Sequence, residues 1–522
     1  MNKTYLNKKN LLIIILFISS ILFNQYYGNI GVQPIDSFFS FNSGYDVLNG
    51  YFPFKDYWTI TGPFIDLVQA IFFKVFGVSW FSYVLHASIF NFIFTIFFFY
   101  TLRKFKLNIN HCFLYSLFLS FLAYPSAGTP YVDHQSSYLS AMAVLSFILA
   151  LKNESRIWWF ILPIILGLSF LTKQTPSGHI LLIISFLSTV YFIFNFDIKK
   201  IIFGVAGTLT ITLIFFLFLL LGDIPLNSFV QQYILFPLTL GESRLDFLFP
   251  LEFNRIILRF KIIHISALIL LLVAIKNIIN DYKYLISNEF LSILSLIGLI
   301  FSLIAHQLMT INGIYIYFLI PILIGFSHIY FEKYYKRKNL VINLLIALSF
   351  CSTIYYGYKY VNKRNFMDLQ NSNISKSVNA GVISNKLSGL KWITPQYPND
   401  PEQEISKLKE AIKIIQSDKS NIMLVTDYQF ISVVNSFYDF SPNKVWYYFH
   451  VYPTKDNKYF EVYRNFFIKK IKKNNIKSIY IIKPMYGDDN ILRDIIPSKC
   501  SRKEILTDIL EQEILLDCEN LR

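Results

Sequence analysis

Long apolar stretches separated by short polar breaks fill the chain from its start to about residue 361. Some of these stretches reach the roughly 20 residues that a helix needs to cross a bilayer, and several are shorter. The pattern predicts an α-helical polytopic membrane protein with about eleven transmembrane helices, at residues 11–23, 81–100, 112–123, 137–151, 158–171, 180–194, 201–221, 263–274, 290–305, 315–331 and 340–360. Joining two of the shorter stretches into one helix would invert the sidedness of every later loop.

Basic residues cluster in alternate breaks, as the positive-inside rule requires. Lys8 and Lys9 precede the first predicted helix, and Arg103 and Lys104 follow the second. The alternation predicts a multi-pass protein of the bacterial inner (plasma) membrane, with a cytoplasmic N-terminus and an extracytoplasmic chain after residue 360. The first apolar stretch also fits a signal peptide, but no small-x-small cleavage pattern follows it, so we expect a retained helix.

Composition supports this interpretation and excludes a soluble globular protein. Of 522 residues, 54% are hydrophobic and 18% aromatic, and the mean hydropathy is +0.45. Soluble domains are less apolar than this. The net charge is +15, from 48 basic and 33 acidic residues. Because the basic residues cluster at helix ends, we expect membrane lipids as their neighbours and no nucleic acid.

The character of the sequence changes after residue 361, where apolar runs shorten and charges interleave. Two helices and two buried strands are predicted there, at residues 404–412, 459–473, 421–425 and 478–482. Alternating strands and helices predict a small α/β domain. The chain therefore divides into a transmembrane domain, 1–361, and an extracytoplasmic domain, 362–522.

Cys500 and Cys518 are the two cysteines of the C-terminal domain. Outside the cytoplasm they are expected to pair, because that compartment is oxidising. The alternative is a pair of free thiols in a cytosolic tail.

The longest polar interruption in the N-terminal half covers residues 33–66. It contains four carboxylates, Asp36, Asp46, Asp56 and Asp66. Carboxylates are costly to place in lipid, so this stretch is predicted to fold at the membrane surface or to line a cavity. We interpret it as the active-site loop.

The order of residues in this loop resembles a known family. Asp36 is followed by Gly50, by Pro-Phe-Lys-Asp at 53–56, by Gly62-Pro63 and by an aromatic-Gly turn at 76–77. This order resembles the first extracytoplasmic loop of GT-C superfamily glycosyltransferases. The similarity is to the mannosyltransferase-like branch that uses polyprenyl-phosphate sugars, which includes dolichyl-phosphate-mannose-protein mannosyltransferases and aminoarabinose transferases. It covers the first third of the chain well and the remainder only by architecture.

The resemblance implies a GT-C-like fold and an inverting hexosyl- or pentosyltransferase. Nucleotide sugars are absent outside the cytoplasm, so we expect a polyprenyl-phosphate sugar donor and a cell-envelope lipid, glycan or protein acceptor. The resemblance assigns Asp36 the role of general base toward the acceptor hydroxyl. Many relatives have two adjacent acids where this chain has Asp36-Ser37, which leaves any role of a second acid open. Capping of a juxtamembrane helix is the alternative role for Asp36.

Lys173 and Gln174, and Asp133 and His134, are further candidates for substrate binding. Lys173-Gln174 resembles a Lys-Gln element of these enzymes, and the ammonium is expected to bind the lipid phosphate. Snorkelling of a lysine at a helix end is the alternative. Asp133, beside His134, resembles their second acidic position, with a sugar hydroxyl, the base or a divalent ion as its partner. Asp-His alone lacks the ligand count of a metal site.

Lys55 and Asp56 are weaker candidates, for phosphate and acceptor binding, because a Pro-x-Lys-Asp turn is equally a solvated loop. Arg244 is expected to share the phosphate, since Arg binds it with two parallel hydrogen bonds. Arg255 and Arg259, in the same long loop, are alternatives that also fit an interfacial helix. His306 receives no role.

Two other functions remain open. An envelope glycan polymerase or ligase would transfer a pyrophosphate-linked glycan and would use more outer arginines than this chain has. A flippase or transporter of lipid-linked sugars predicts inverted repeats and ionisable residues in mid-span. We find no convincing repeat, and the carboxylates lie in outer loops. Sugar, acceptor and linkage are not encoded by any motif.

Overall fold

The computed structural model describes residues 3–124, 127–152, 155–249, 251–310, 316–335, 339–444, 451–485 and 490–516. The N-terminal part is helical. Its helices in chain order are α1 (Lys3–Gly28), α2 (Pro34–Ser37), α3 (Phe41–Leu48), α4 (Phe64–Phe76), α5 (Trp80–Lys104), α6 (Ile109–Leu122), α7 (Val132–Lys152), α8 (Ile157–Phe170), α9 (Gln174–Phe194), α10 (Ile198–Leu221), α11 (Leu226–Phe229), α12 (Phe236–Leu248), α13 (Lys261–Asn280), α14 (Asn288–Met309), α15 (Leu319–Tyr334) and α16 (Asn339–Gly357). A π-helical turn, Val230–Leu235, joins α11 to α12.

Eight of the described helices are long and apolar enough to cross a membrane. They are α1 from Lys8, α5, α7, α9, α10, α13, α14, and α16 with its continuation to Met367. Two further apolar helices, α6 and α8, are shorter. The eleven predicted stretches coincide with these ten helices and with α15, except that residue 315 lies outside the described residues. The α-helical multi-pass architecture is confirmed, whereas the count of eleven stays a prediction.

Helix α7 lies at the centre of the bundle. Every residue from Val132 to Leu151 is buried, and the helix packs against α5, α8, α9 and α14. Its four serine hydroxyls find partners within the protein. The oxygens of Ser140 and Ser169 lie 3.0 Å apart, and Ser146 donates to the Met142 carbonyl at 2.8 Å. The serines of this buried helix are thus satisfied by carbonyls of α7 itself and, for Ser140, by α8.

Helix α10 lies at the periphery of the bundle. It packs mainly against α8, and Leu209, Leu213 and Leu220 are exposed on its other side. Apolar side chains without protein neighbours are what a helix needs where it faces lipid tails. The contrast between α7 and α10 thus distinguishes the interior of the bundle from its membrane-facing surface.

The C-terminal domain combines helices with a small sheet. Its elements are β1 (Val378–Asn379), β2 (Lys391–Trp392), α17 (Pro401–Ser417), β3 (Ile422–Thr426), α18 (Ile431–Asn435), α19 (Phe460–Lys473), β4 (Ser478–Ile482), α20 (Asn490–Ile495), β5 (Ser501–Ile505) and β6 (Leu510–Leu515). The strand order is β3-β4-β6-β5, with β3 and β4 parallel and the other pairs antiparallel. The predicted small α/β domain is confirmed, and its boundary at residue 362 stays a prediction.

Cys500 is buried and disulfide-bonded. Cys518 lies outside the described residues, so the predicted pairing of these two cysteines stays a prediction.

The loop between α1 and α4 lies between the helical bundle and the C-terminal domain. The Val32 amide donates to the Ile393 carbonyl at 2.9 Å, and the Trp58 amide donates to the Pro442 carbonyl at 2.6 Å. Such backbone bonds satisfy polar groups that lipid would leave unpaired. The loop is therefore a folded layer, with α2 and α3 as its helical parts.

Candidate active site

Asp36 lies on α2, a single helical turn at the beginning of this layer. Pro34 occupies the first turn of α2, where its missing amide hydrogen is not needed. The Ser37 hydroxyl accepts a hydrogen bond from the Gln33 amide at 2.9 Å, and the Ser37 carbonyl accepts one from the Thr129 hydroxyl at 3.1 Å. Ser37 is fully buried. The serine at the position of a second acid thus holds the turn that carries Asp36.

The Asp36 carboxylate accepts a hydrogen bond from the Tyr131 hydroxyl at 2.9 Å. Burial raises the pKa of Asp36 to about 7; the Tyr131 hydrogen bond opposes the shift, and the negative charge of Asp133 adds to it. A general base works best when its pKa lies near the working pH. Asp36 therefore has the electrostatic setting that base catalysis near neutral pH requires.

Three titratable side chains from different helices meet beside Asp36. Lys173, directly before α9, donates to Oδ1 of Asp133, near the start of α7. Nε2 of His306, on α14, lies 2.7 Å from the same oxygen. Because a carboxylate only accepts, this imidazole nitrogen carries the proton. Asp133 and His306 are buried, and Lys173 is half-buried. The cluster ties the start of α7 and the start of α9 to α14.

Arg244, on α12, is a second cation near this cluster. Burial lowers the pKa of Lys173 and the neighbouring Asp133 opposes this shift, while the positive charge of Arg244 lowers it further. The pKa of Arg244 is itself lowered by burial, against the charge of Asp133. Two cations that interact electrostatically at a half-buried place suit an anionic ligand such as a phosphate. Asp36, Asp133, Lys173 and Arg244 therefore each lie within electrostatic range of at least one other member of this set.

Gln174 and His134 take other places. The Gln174 amide donates to the carbonyls of Ile60 at 2.9 Å and Tyr233 at 2.6 Å, which ties the end of the loop to the π-helical turn. The His134 ring is buried, with its centroid 5.4 Å from that of Tyr138. These positions give Gln174 a role in holding the loop, and leave substrate contact by either residue a prediction.

Lys55 and Asp56 lie at the tip of the loop. Nζ of Lys55 donates to the Gly222 carbonyl at 3.1 Å and lies 3.3 Å from the carboxylate of Asp223. The Asp56 carboxylate accepts from the Phe52 amide at 2.8 Å. These contacts close the loop on itself and on the end of α10, apart from the cluster around Asp36.

The remaining carboxylates of the loop are also bound within the protein. Asp66 accepts hydrogen bonds from Ser43 at 2.6 Å and Tyr57 at 3.0 Å. Asp46 forms an ion pair with Lys444 of the C-terminal domain. Among the four loop carboxylates, Asp36 is therefore the one placed beside Lys173 and Asp133.

Tyr131 and His306 belong to the site although the sequence assigned neither a role. Tyr131 precedes Asp133 by two residues, and this closeness to a predicted site carboxylate is the sequence feature that could have indicated it. Nothing in the pattern around His306 indicated Asp133 as its partner. Within the described part of the chain, no group of three or more His, Cys, Asp or Glu side chains is arranged to hold a metal ion.

Comparisons with known proteins bear on residues 61–221. This segment matches the family model described as dolichyl-phosphate-mannose-protein mannosyltransferase. No curated protein matches the chain. Two crystal structures of ArnT from Cupriavidus metallidurans, one bound to undecaprenyl phosphate and one apo, match with TM-scores of 0.46, at 12% and 11% identity, over 96% of this chain and 97% of that chain. The glycosyltransferase resemblance is confirmed where the family model matches: residues 61–221, with Asp133 and Lys173, are similar to the dolichyl-phosphate-mannose-protein mannosyltransferases.

Proposed function

We propose that this protein is an extracytoplasmic-facing membrane glycosyltransferase. It transfers a sugar from a polyprenyl-phosphate donor to a hydroxyl of a cell-envelope lipid, glycan or protein. The observation that carries the proposal is that Asp36, a buried carboxylate with a raised pKa, lies within electrostatic range of Lys173, a partly buried cation that in turn interacts electrostatically with Arg244. A base and a phosphate-binding pair are the two groups that this transfer needs.

Asp36 accepts the proton of the acceptor hydroxyl as its oxygen attacks the anomeric carbon. The bond between that carbon and the phosphate oxygen breaks, and polyprenyl phosphate leaves with the bonding electrons. Lys173 and Arg244 stabilise the charge that develops on the phosphate. Attack on the face opposite the leaving group inverts the anomeric configuration. Asp133 and His306 hold Lys173 in place through their shared hydrogen bonds.

A donor assay tests this function. Purified protein is mixed with a membrane lipid extract and with radiolabelled polyprenyl-phosphate hexose, pentose or aminosugar. We expect one donor to release polyprenyl phosphate as its label enters an acceptor. Consumption of pyrophosphate-linked glycan alone would indicate a polymerase or ligase instead. Movement of intact donor across the bilayer, without release, would indicate a flippase.

Turnover is expected to rise with pH and to level off above about 7. Below its pKa of about 7, Asp36 is protonated and cannot accept the acceptor proton, so the rate falls about tenfold for each pH unit below it. Tyr131→Phe removes the hydrogen bond that lowers this pKa, so the rising limb should move to higher pH. Initial rates from pH 5 to 9 measure both effects. If the initial rate of Tyr131→Phe rises over the same pH range as that of the wild type, the pH dependence does not come from Asp36.

The predicted sidedness is tested separately. A reporter that is active only outside the cytoplasm, fused after Arg522, should be active, because the alternating basic loops place the C-terminal domain outside. Cytoplasmic activity of the fusion would contradict the topology and would remove Asp36 from the side on which the donor is expected.

A further inference from the structure

A buried ion cluster joins the loop of residues 33–66 to the C-terminal domain. Nζ of Lys444 lies 3.2 Å from Oδ2 of Asp46, on α3, and 3.0 Å from Oδ2 of Asp439. The lysine side chain is 0% exposed, and the two carboxylates are 1% and 2% exposed. Lys444 and Asp439 belong to the C-terminal domain, so the pair with Asp46 is the one that crosses the interface.

Other contacts make the same interface specific. The rings of Tyr51, in the loop, and Tyr438 are stacked with centroids 3.6 Å apart. Nζ of Lys444 lies 4.3 Å from the Tyr438 ring, a cation–π contact. Asn42, on α3, donates to Gln429 at 2.8 Å. The hydrogen bond, the stacked rings and the ion pair together hold the domain in one position against α3.

Replacing a buried ion pair with apolar side chains is often neutral or stabilising, whereas removing one partner is strongly destabilising. The Asp46 to Lys444 pair is therefore better explained by the geometry that it fixes than by added stability. An apolar contact would tolerate sliding of the domain over α3. A lysine between two carboxylates does not, because each oxygen must stay within reach of the same ammonium.

A short connection joins α3, which carries Asp46, to the turn that carries Asp36. Helix α2, with Asp36, ends at Ser37, and α3 begins at Phe41. Between them, Phe38 packs 4.8 Å from the Phe430 ring of the C-terminal domain. A shift of α3 thus moves the turn that carries Asp36. A displacement of about 1 Å in a reacting group can lower a rate about 100-fold.

We propose that the Asp46–Lys444–Asp439 cluster makes the C-terminal domain a positioning element of the active site. Asp46 and Lys444 act as positioning residues that hold Asp36 in register with Lys173 and Asp133. This inference rests on the proposed glycosyltransferase function for its effect on turnover. The contact of the domain with the loop does not depend on that function.

Asp46→Asn tests the proposal. It removes the charge from the loop side and keeps the Lys444–Asp439 pair inside the domain, so β4 (Ser478–Ile482) should stay protected from amide hydrogen exchange. We expect faster exchange at residues 33–62 and a kcat lowered about 10- to 100-fold with the donor KM unchanged. The variant Asp46→Glu keeps the charge, so its amide exchange at residues 33–62 and its kcat should lie closer to the wild-type values than those of Asp46→Asn. The double variant Asp46→Asn/Lys444→Met should lose less than the sum of the single variants, because both break one link.

Lys483→Met is the matched control. It breaks the ion pair with Glu511, 3.0 Å long, in the same domain, and both readouts should stay at wild-type values. The proposal is overturned by wild-type kcat and exchange in Asp46→Asn, by additive losses in the double variant, or by failure of Asp46→Glu to restore anything. If amide exchange in β4 also becomes faster in Asp46→Asn, the domain itself is destabilised. Recovery of kcat in Asp46→Glu then supports the proposal, and no recovery overturns it. If the wild-type protein transfers no sugar, the proposed function fails while the exchange data still test the contact.

Discussion

Asp36→Asn is expected to lower turnover by about 10²- to 10⁴-fold, the usual effect of losing a general base. The amide is nearly isosteric with the carboxylate and still accepts the hydrogen bond that Tyr131 donates. The loop should therefore keep its fold, while the acceptor hydroxyl loses the group that takes its proton. Ser37 is buried and occupied by the Gln33 amide, so the neighbouring position offers no substitute carboxylate.

The measurement is single-turnover transfer from the radiolabelled donor, together with binding of polyprenyl phosphate. Binding should stay near the wild-type value, since the lost interaction forms only in the transition state. Asp56→Asn is the matched control in the same loop. Its carboxylate accepts from the Phe52 amide, away from Lys173 and Asp133, and turnover should be nearly normal. Normal turnover of Asp36→Asn would exclude Asp36 as the base and would direct attention to Asp133.

Lys173→Ala is expected to impair both binding and rate. Its ammonium is proposed to contact the donor phosphate in the ground state and in the transition state, so the donor KM should rise and kcat should fall. The substitution also leaves the buried Asp133 carboxylate with His306 as its nearest partner. Removing one group that stabilises developing negative charge typically costs about 10²- to 10³-fold in rate, so kcat/KM should fall by about 10²-fold or more.

Lys55→Ala separates this effect from a general loss of positive charge. Lys55 binds the Gly222 carbonyl and Asp223 at the loop tip, and its removal should change kcat/KM little. Steady-state kinetics over a range of donor concentrations measure both variants. A normal donor KM in Lys173→Ala would assign the phosphate to other cations, with Arg244 the first to examine.

Much of the site was predictable because lipid restricts where charges are placed. Asp36, Asp133, Lys173 and Arg244 interrupt apolar stretches, and burial in hydrocarbon excludes them from mid-span. This restriction limits the candidates to the polar breaks. The resemblance to known glycosyltransferases then indicated Asp36, Asp133 and Lys173, and the affinity of arginine for phosphate indicated Arg244.

Pairing across the fold was not predictable. His306 lies within α14, and only helix packing brings it to Asp133. Gln174 shares a motif with Lys173, yet its amide binds two backbone carbonyls. The strands β5 and β6 were also missed, because the segment from Ser501 to Ile505 mixes charged and apolar positions, as an edge strand does. Each of these features depends on tertiary packing.

The full burial of α7 has a consequence for how the chain enters the membrane. Its mean hydropathy is 1.3, against 2.4 for α10, and its serine hydroxyls find partners on its own carbonyls and on α8. Alone in lipid, the Ser140 hydroxyl would face hydrocarbon without Ser169 of α8, which itself contacts Ser177 of α9. Stable insertion of α7 thus requires α8 and α9 to leave the translocon with it. A nascent chain arrested before residue 174 should therefore hold α7 in an extractable, incompletely integrated state.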